Sequence, residues 1–453
     1  MGCFASSYVP VKAEKREPVV VLESNVIESV APSVPIAPGS LTSAPPPVSC
    51  YAISQNRWIS LVQSILTDVF VTTTVQDMEK DIGMDIDAFY HRLIAGKTRL
   101  TGKVLTVPEL YVYAGIVGLC YGPTSHKFEH MTKNFVQYAT LDMTEFKQKL
   151  TVMHGQCTKP ITYATSFDKN DITVLDDDVS LLLLANFATG TKRSQVVLDE
   201  AKKIVPDVSM LVVAGDTFYS GTVAEQEQHL IQPIRSVFPH VLIRYLRGSH
   251  DMYSGPDGFE YIKKTLGQSA SYFSIRNRYF LLQGLDTSYR NFMEKTAMVR
   301  EDELEWHTQC VHEATQQKKK IMLLSYHEPF SYDQHMTTLM DQLTPLLPAS
   351  DAYFFGQQRQ LMLYEDYKHD DVLIKKPRLI GHSGASYMNV NHVMEYSHVL
   401  PGEEWHLRHN GDVMDSGFCV VRCKAGHVTV EYYTIHFIQN EHESAVCVYQ
   451  ETL

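Results

Sequence analysis

Val212-Val213-Ala214-Gly215-Asp216-Thr217-Phe218-Tyr219 is a short apolar run that stops at a glycine and then presents a carboxylate and, three residues on, a phenol. An apolar run of this length ending in Gly reads as a buried strand of a parallel sheet. In open α/β folds the C-terminal edge of such a sheet carries the chemistry. The stretch therefore predicts an α/β protein with functional groups at Asp216 and Tyr219. An isolated Gly-Asp is also an ordinary turn, so the weight falls on what the neighbouring strand ends carry.

Working outward, Ser180 to Leu184 is a continuous apolar run, Val196 to Ile204 has helical spacing, and Met210 to Val213 is the opening strand. Val241 to Leu246, Ile321 to Ser325 and Asp351 to Phe355 read as further strands. The tail from Gly417 to Thr434 alternates apolar and polar like antiparallel sheet. Strand and helix in alternation, closing on antiparallel strands, predicts a layered α/β domain over 170–453. The acidic stretch Ser166 to Asp178 reads as a solvated loop, and Lys318-Lys319-Lys320 as a solvated helix end before a strand.

Polar groups stand after these strands in a fixed order: Asn186, then Asp216 and Tyr219, then Gly248-Ser249-His250-Asp251, then Tyr326-His327-Glu328-Pro329, then Gly356-Gln357-Gln358-Arg359. Five strand ends carrying such groups predict a pocket. On these residues the chain resembles the metallophosphoesterase (calcineurin-like) superfamily over about residues 180 to 435. Within it the chain is most similar to the purple acid, or tartrate-resistant acid, phosphatases. Gly215-Asp216-Thr217-Phe218-Tyr219 matches their GDxxY element, and Gly284-Leu285-Asp286-Thr287, Glu305-Trp306, Ser383-Gly384-Ala385 and Gly417-Phe418 are supporting matches. The resemblance implies an α/β-β/α sandwich and a site holding two metal ions, iron with iron, zinc or manganese.

Two cations close together need a bridging carboxylate, hard oxygen donors and imidazoles, with open positions for phosphate and hydroxide. The resemblance implies seven protein ligands. This chain keeps Asp216, Tyr219 and His327 and has Asn186, Ser249, Gln357 and Arg359 at the other four positions. Asn186 removes a negative charge, Ser249 and Gln357 are weak neutral donors, and Arg359 is a permanent cation that cannot be a ligand. Neither metal position retains enough ligands, which predicts no cofactor. An Arg359 guanidinium paired with Asp216 would take over the metal's charge. His250 matches the family's leaving-group histidine, with Asp251 as its orienting partner, the pair being equally readable as a structural hydrogen bond. His382, in Gly381-His382-Ser383-Gly384, is a candidate for a shifted metal ligand.

The amino terminus, Met1-Gly2-Cys3-Phe4-Ala5-Ser6, fits N-myristoylation at Gly2 with palmitoylation at Cys3. Two acyl chains anchor stably where one binds marginally. Residues 1–17 therefore read as a membrane anchor that places the protein on the cytoplasmic face of a membrane rather than outside the cell. Residues 18–50, with Pro18, Pro32, Pro35, Pro38 and Pro45-Pro46-Pro47, read as an extended linker without helix or sheet. From 51 to 160 the period is helical: Trp58, Leu61, Val62, Ile65, Leu66, Val69 and Phe70 form one apolar face. Val104 to Leu110 and Thr140 to Phe146 each resemble the second half of an EF-hand loop, with Glu109 and Glu145 at the last position. The first halves carry Thr98, Leu100 and Gly102, and Asn134, Val136 and Tyr138, where calcium needs carboxylate or amide oxygens, so calcium is not expected.

Composition bounds the rest. The chain has 453 residues, 44% of them apolar, with a net charge of −12 from 40 Lys+Arg against 52 Asp+Glu, which argues against a general nucleic-acid binder. Its eight cysteines are scattered without a CxxC pair, as in a reducing compartment. No apolar run approaches the roughly 20 residues needed to span a bilayer. Three functions remain open: a membrane-tethered pseudophosphatase acting through a protein partner, an active phosphomonoester hydrolase with an altered metal centre, and a phosphate or nucleotide sensor using Arg359, His250 and His327.

Overall fold

A computed structural model describes residues 171–289, 297–330, 338–369, 371–384, 413–438 and 441–453, the helix Met143–Cys157, and shorter pieces at 20–21, 60–62, 64–65, 104–105, 115, 118–119, 122–126, 128–129, 400, 407 and 409–410. The acylation candidates Gly2 and Cys3, most of the proline-rich linker, Glu109 and Ala385 lie outside the described residues, as does the side chain of Glu145.

In chain order the elements are α1 (Met143–Cys157), β1 (Ile172–Val174), β2 (Val179–Leu184), α2 (Lys192–Ile204), β3 (Met210–Ala214), α3 (Val223–Glu225, continuing through Gln226–Ile231 and Gln232–Val237) and β4 (Leu242–Leu246). Then follow α4 (Asp257–Thr265), β5 (Phe273–Arg276), β6 (Phe280–Leu285), α5 (Glu301–Gln316), β7 (Lys320–Ser325), α6 (Thr338–Leu343), β8 (Ala352–Phe355), β9 (Leu361–Leu363), β10 (Pro377–Ile380), β11 (Ser416–Lys424), β12 (His427–Ile435) and β13 (Val446–Thr452). Two large sheets result, a six-stranded one in the order β13-β12-β11-β2-β3-β4 and a seven-stranded one in the order β9-β10-β8-β7-β6-β5-β1. This is the layered α/β sandwich expected.

The apolar runs of β2 and β3 are continuous because both faces are covered. Leu181, Leu183, Val212 and Ala214 pack into the core between the sheets, while Leu182, Leu184, Leu211 and Val213 pack against the helices, including Val196, Val197 and Ala201 of α2. Alternate residues of a strand point to opposite faces, so a strand buried on both sides must be apolar throughout. Antiparallel β11 and β12 close the six-stranded sheet, with Cys419 opposite Leu183.

Register brings the strand ends together. Leu184 pairs with Val213 and Ala214 with Leu246, so Asn186, Asp216 and Gly248 leave the six-stranded sheet at one edge. In the other sheet Leu285 and Phe355 both pair with Ser325, which lines up Thr287, His327 and Gln357.

Two expectations are corrected. The acidic stretch Ser166 to Asp178 is not wholly loop: Ile172–Val174 forms edge strand β1, parallel to β5. Its β-branched residues suit a strand, but the partner lies about a hundred residues away and the acidic neighbours hide the pattern. Val20–Val21, inside the expected linker, pairs antiparallel with Val104–Leu105, because two β-branched residues clear of the prolines keep their N–H donors. Among the described residues no helix is long and apolar enough to cross a membrane.

Candidate functional site

The stretch 215–222 is shaped by backbone demands before it does any chemistry. Gly215 has φ +62, and a Cβ there would meet the Tyr326 ring at 2.5 Å and the Gly248 Cα at 2.7 Å. Only glycine permits both the left-handed conformation and the close approach. Gly248 is equally constrained, since an added Cβ would overlap the Asp216 carboxylate. Thr222 and Glu225 form a capping box at the start of α3. Glu225 also accepts from the Tyr219 and Ser220 amides, at 2.8 and 3.1 Å, which fixes the loop from below.

Asp216 is buried, and both of its oxygens are engaged. Oδ2 accepts the Tyr326 hydroxyl at 2.5 Å and Oδ1 accepts the His250 amide at 2.9 Å. The expected Arg359–Asp216 pairing is not what forms. The Arg359 guanidinium lies over the Phe218 ring, 4.6 Å from its centroid, with Nη2 3.5 Å from His250 Nε2, and acts on Asp216 only through its charge. A phenol hydroxyl reaching in from the end of β7 needs less room than a guanidinium between Gly215 and Gly248, and it takes the position beside the carboxylate.

The His250–Asp251 pair is corrected as well. His250 Nδ1 donates to the Tyr219 carbonyl at 2.6 Å, leaving Nε2 to face Arg359. Asp251 turns inward and accepts from the Tyr245 hydroxyl at 2.7 Å, from the Gly248 and Thr217 amides at 2.7 and 3.1 Å, and from Gln226 Nε2 at 2.9 Å. It anchors the loop rather than orienting the imidazole.

Asn186 has φ +52, which Asn tolerates better than most residues, and its side chain is fully buried. Nδ2 donates to the Gly356 carbonyl at 2.5 Å and the Gly381 carbonyl at 3.1 Å, stitching together the loops after β2, β8 and β10. A carboxylate at this position would face carbonyl oxygens. The Gln357 backbone N–H donates to the Tyr326 carbonyl at 2.7 Å. Ser249 hydrogen-bonds the Tyr326 hydroxyl, joining the same cluster. His327 Nδ1 meets Thr287 Oγ1 at 2.9 Å. His382 Nε2 meets the Tyr433 carbonyl at 3.2 Å, under the antiparallel strands, so it ties β12 to the loop after β10.

Burial, followed by the neighbouring Asp251, raises the pKa of Asp216, against the pull of Tyr326, His250 and Arg359. Burial also raises that of Asp251. Tyr326 is held well above its ordinary range by burial and by Asp216, so it remains a hydroxyl donor. Burial lowers His327 to about 3 and His382 to about 4, so both rings are neutral at physiological pH. Burial raises Glu328 to about 7, against a 3.0 Å hydrogen bond from Gln358.

The donor set does not fit two metal ions. The one acidic ligand position kept is occupied by two hydrogen-bond donors, Asn186 presents its amide nitrogen to carbonyls, and Arg359 brings a cation. Among the described residues no three His, Cys, Asp or Glu side chains converge as a metal-binding group. What the arrangement presents is a guanidinium and an imidazole edge beside a buried, hydrogen-bonded carboxylate. Tyr326 and Tyr245 were not assignable from sequence. Tyr326 was visible only as the neighbour of His327, 110 residues from the carboxylate it meets.

No protein-family model matches the chain, and no curated protein matches it by sequence. Solved structures do. GAP50, the anchor in the inner membrane complex of Plasmodium, is 13% identical over 61% of this chain and 89% of its own, with a TM-score of 0.41. The purple acid phosphatase PPD1 of yellow lupin seeds is 10% identical, with a TM-score of 0.41, over 57% of this chain, which spans about half (52%) of its length. A dimetal phosphatase of Danio rerio is 10% identical over 60% of this chain and all (100%) of its own, with a TM-score of 0.39. At these scores the likeness is one of general chain path and assigns no residue a role. In its two-layered α/β sandwich the chain is similar in general path to these solved structures, purple acid and dimetal phosphatases among them.

Proposed function

We propose that the chain is a membrane-tethered pseudophosphatase: it keeps the phosphatase scaffold, lacks a complete dimetal site, and acts by binding or scaffolding a protein partner at a cytoplasmic membrane face. The observation that carries this reading is the Tyr326 hydroxyl on Asp216 Oδ2 at 2.5 Å, beside an Asn186 whose amide nitrogen is committed to carbonyls. A bridging carboxylate needs its lone pairs for two cations, and here a proton donor has them. The tether rests on Gly2 and Cys3 in the sequence.

The test is elemental analysis of the purified full-length protein after incubation with iron, zinc and manganese, together with phosphomonoester turnover. Neither stoichiometric metal nor turnover is expected. Two bound metals with turnover would overturn the reading. Incorporation of a myristate analogue, and its loss in Gly2→Ala, tests the tether; equal membrane recovery of both forms would remove it. A second reading, an anion sensor, is favoured by Arg359 Nη2 standing 3.5 Å from His250 Nε2. Titration calorimetry with inorganic phosphate decides it, and a flat titration discards it.

A further inference from the structure

The amino-terminal helical region touches the pocket loops directly. Of its helical residues, Ser60 and Ser64 are buried, as are Leu61, Val62 and Ile65. The Ser64 hydroxyl lies 2.6 Å from Glu225 Oε1 and 2.5 Å from Ser220 Oγ. A serine has one hydroxyl proton, and the carboxylate is the stronger acceptor. Ser64 therefore donates to Glu225 and accepts from Ser220. A second contact lies at the far end of the same region: a Cβ on Gly255, just beyond His250, would sit 3.9 Å from the Gln156 carbonyl oxygen of α1. The helical region thus bonds to the loop after β3 through Ser64, and the Gln156 carbonyl of α1 faces Gly255 beyond β4.

From Ser64 a continuous set of hydrogen bonds leads into the pocket. Glu225 Oε1, which takes the Ser64 proton, also accepts the Tyr219 amide at 2.8 Å. The Tyr219 carbonyl accepts His250 Nδ1 at 2.6 Å, and the His250 amide donates to Asp216 at 2.9 Å. His250 Nε2 in turn faces Arg359. From Ser64 to Asp216 every link is a hydrogen bond of 2.6 to 2.9 Å, and the contact on to Arg359 is longer, at 3.5 Å. Displacing one end therefore leaves a buried partner unsatisfied unless the next link moves too.

We infer that the seating of the amino-terminal helix, through Ser64 on Glu225, is coupled to the position of His250 and Arg359 in the pocket, so that the tethered region and the pocket regulate one another. The inference rests on the proposed binding role, because it names what controls that same pocket. Coupling of this kind is reciprocal: whatever shifts the pocket shifts the helix by the same free energy, and the reverse. The element through which the coupling runs is the Tyr219–Thr222 loop, held on one side by Glu225, which accepts from Ser64, and on the other by His250.

The test is amide hydrogen exchange on the full-length chain, comparing wild type with Ser64→Ala, His250→Ala and Ser60→Ala. Ser60 lies on the same helix and is equally buried, and Ser64 meets its carbonyl rather than its hydroxyl, so Ser60→Ala reports loosening of the helix alone. Ser64→Ala should speed exchange at the Tyr219, Ser220 and Thr222 amides about tenfold, the size expected for losing a hydrogen bond to a carboxylate. His250→Ala, which keeps its backbone bond to Asp216, should speed exchange across residues 60–65, and Ser60→Ala should do neither. Effects confined to the neighbours of each substitution, or an equal effect from Ser60→Ala, overturn the coupling. Metal content and turnover of the same samples keep the two ideas apart. Metal-loaded, active protein that still shows the reciprocal exchange overturns the binding role and leaves the coupling standing, whereas metal-free protein without it does the opposite.

Discussion

Replacing Tyr326 by phenylalanine isolates the contact that defines this site. The ring stays, so no cavity opens, and only the hydroxyl 2.5 Å from Asp216 Oδ2 is lost. A hydrogen bond to a charged group contributes roughly 1.5–3 kcal/mol and one between neutral groups about 0.5–1.5. Burial and Asp251 hold the Asp216 carboxyl above the usual range, so it stays protonated up to a higher pH than an ordinary aspartate and ionises only above that. The sign follows. Tyr326 favours the ionised form of Asp216, so the cost of removing it is small while Asp216 is protonated and grows as pH rises through the folded pKa. Urea unfolding at about pH 6 and about pH 9 should give losses near ~1 and ~2 kcal/mol respectively. A double-mutant cycle with Asp216→Asn should show coupling of about 1 kcal/mol or more. Additivity within about 0.5 kcal/mol, with the same loss at both pH values, would refute the assignment of Tyr326 as the partner of Asp216.

Three further substitutions test other parts of the structure. Asn186→Asp should lower stability by about 2–4 kcal/mol, because it sets a carboxylate against the Gly356 and Gly381 carbonyls and discards two donors; a neutral effect on the urea midpoint would show the amide to be oriented otherwise. Arg247→Met breaks a buried pair in which Nη2 lies 2.6 Å from Asp286 Oδ2, and should cost about 3–5 kcal/mol, with Asp286→Asn in the same chain recovering much of it; no recovery would mean that packing over Phe259, not charge, dominates. Burial lowers His307 to about 3 from an ordinary 6.5, so the unfolded chain takes up the proton first and stability present above about pH 6.5 is lost as pH falls toward 3. His307→Gln should flatten that slope in acid titrations followed by circular dichroism, and an unchanged slope would place the acid lability elsewhere.

Particular residues show how far the sequence could be read. The paired apolar runs of β2 and β3 declared buried parallel strands because burial on both faces leaves no room for polar alternation, and a glycine followed by aspartate marked where they end. The same logic failed at Ile172–Val174. An edge strand exposed on one side carries no such constraint, and its pairing with β5 is a long-range fact. The order of strand-end residues carried the expectation of an altered ligand set, since Asn, Ser, Gln and Arg differ in donor chemistry from carboxylates and imidazoles whatever the surrounding geometry. The partners of those residues were illegible: Asp216 was expected to meet Arg359 and meets Tyr326, and Asp251 was expected to hold His250 and holds Tyr245.

The sequence by itself therefore determined the layered α/β class and that Asn186, Asp216, His327 and Gln357 stand just past the ends of its strands. These follow from local pattern and residue chemistry. Only the tertiary structure decided which donor reaches which acceptor, and that the amino-terminal helix rests on the loop beneath Tyr219 through Ser64 and Glu225. Hydrogen bonds form over about 3 Å, whereas Ser64 and Glu225 are separated by 161 positions in the chain and Asn186 and Gly381 by 195, and no local pattern carries information across that distance.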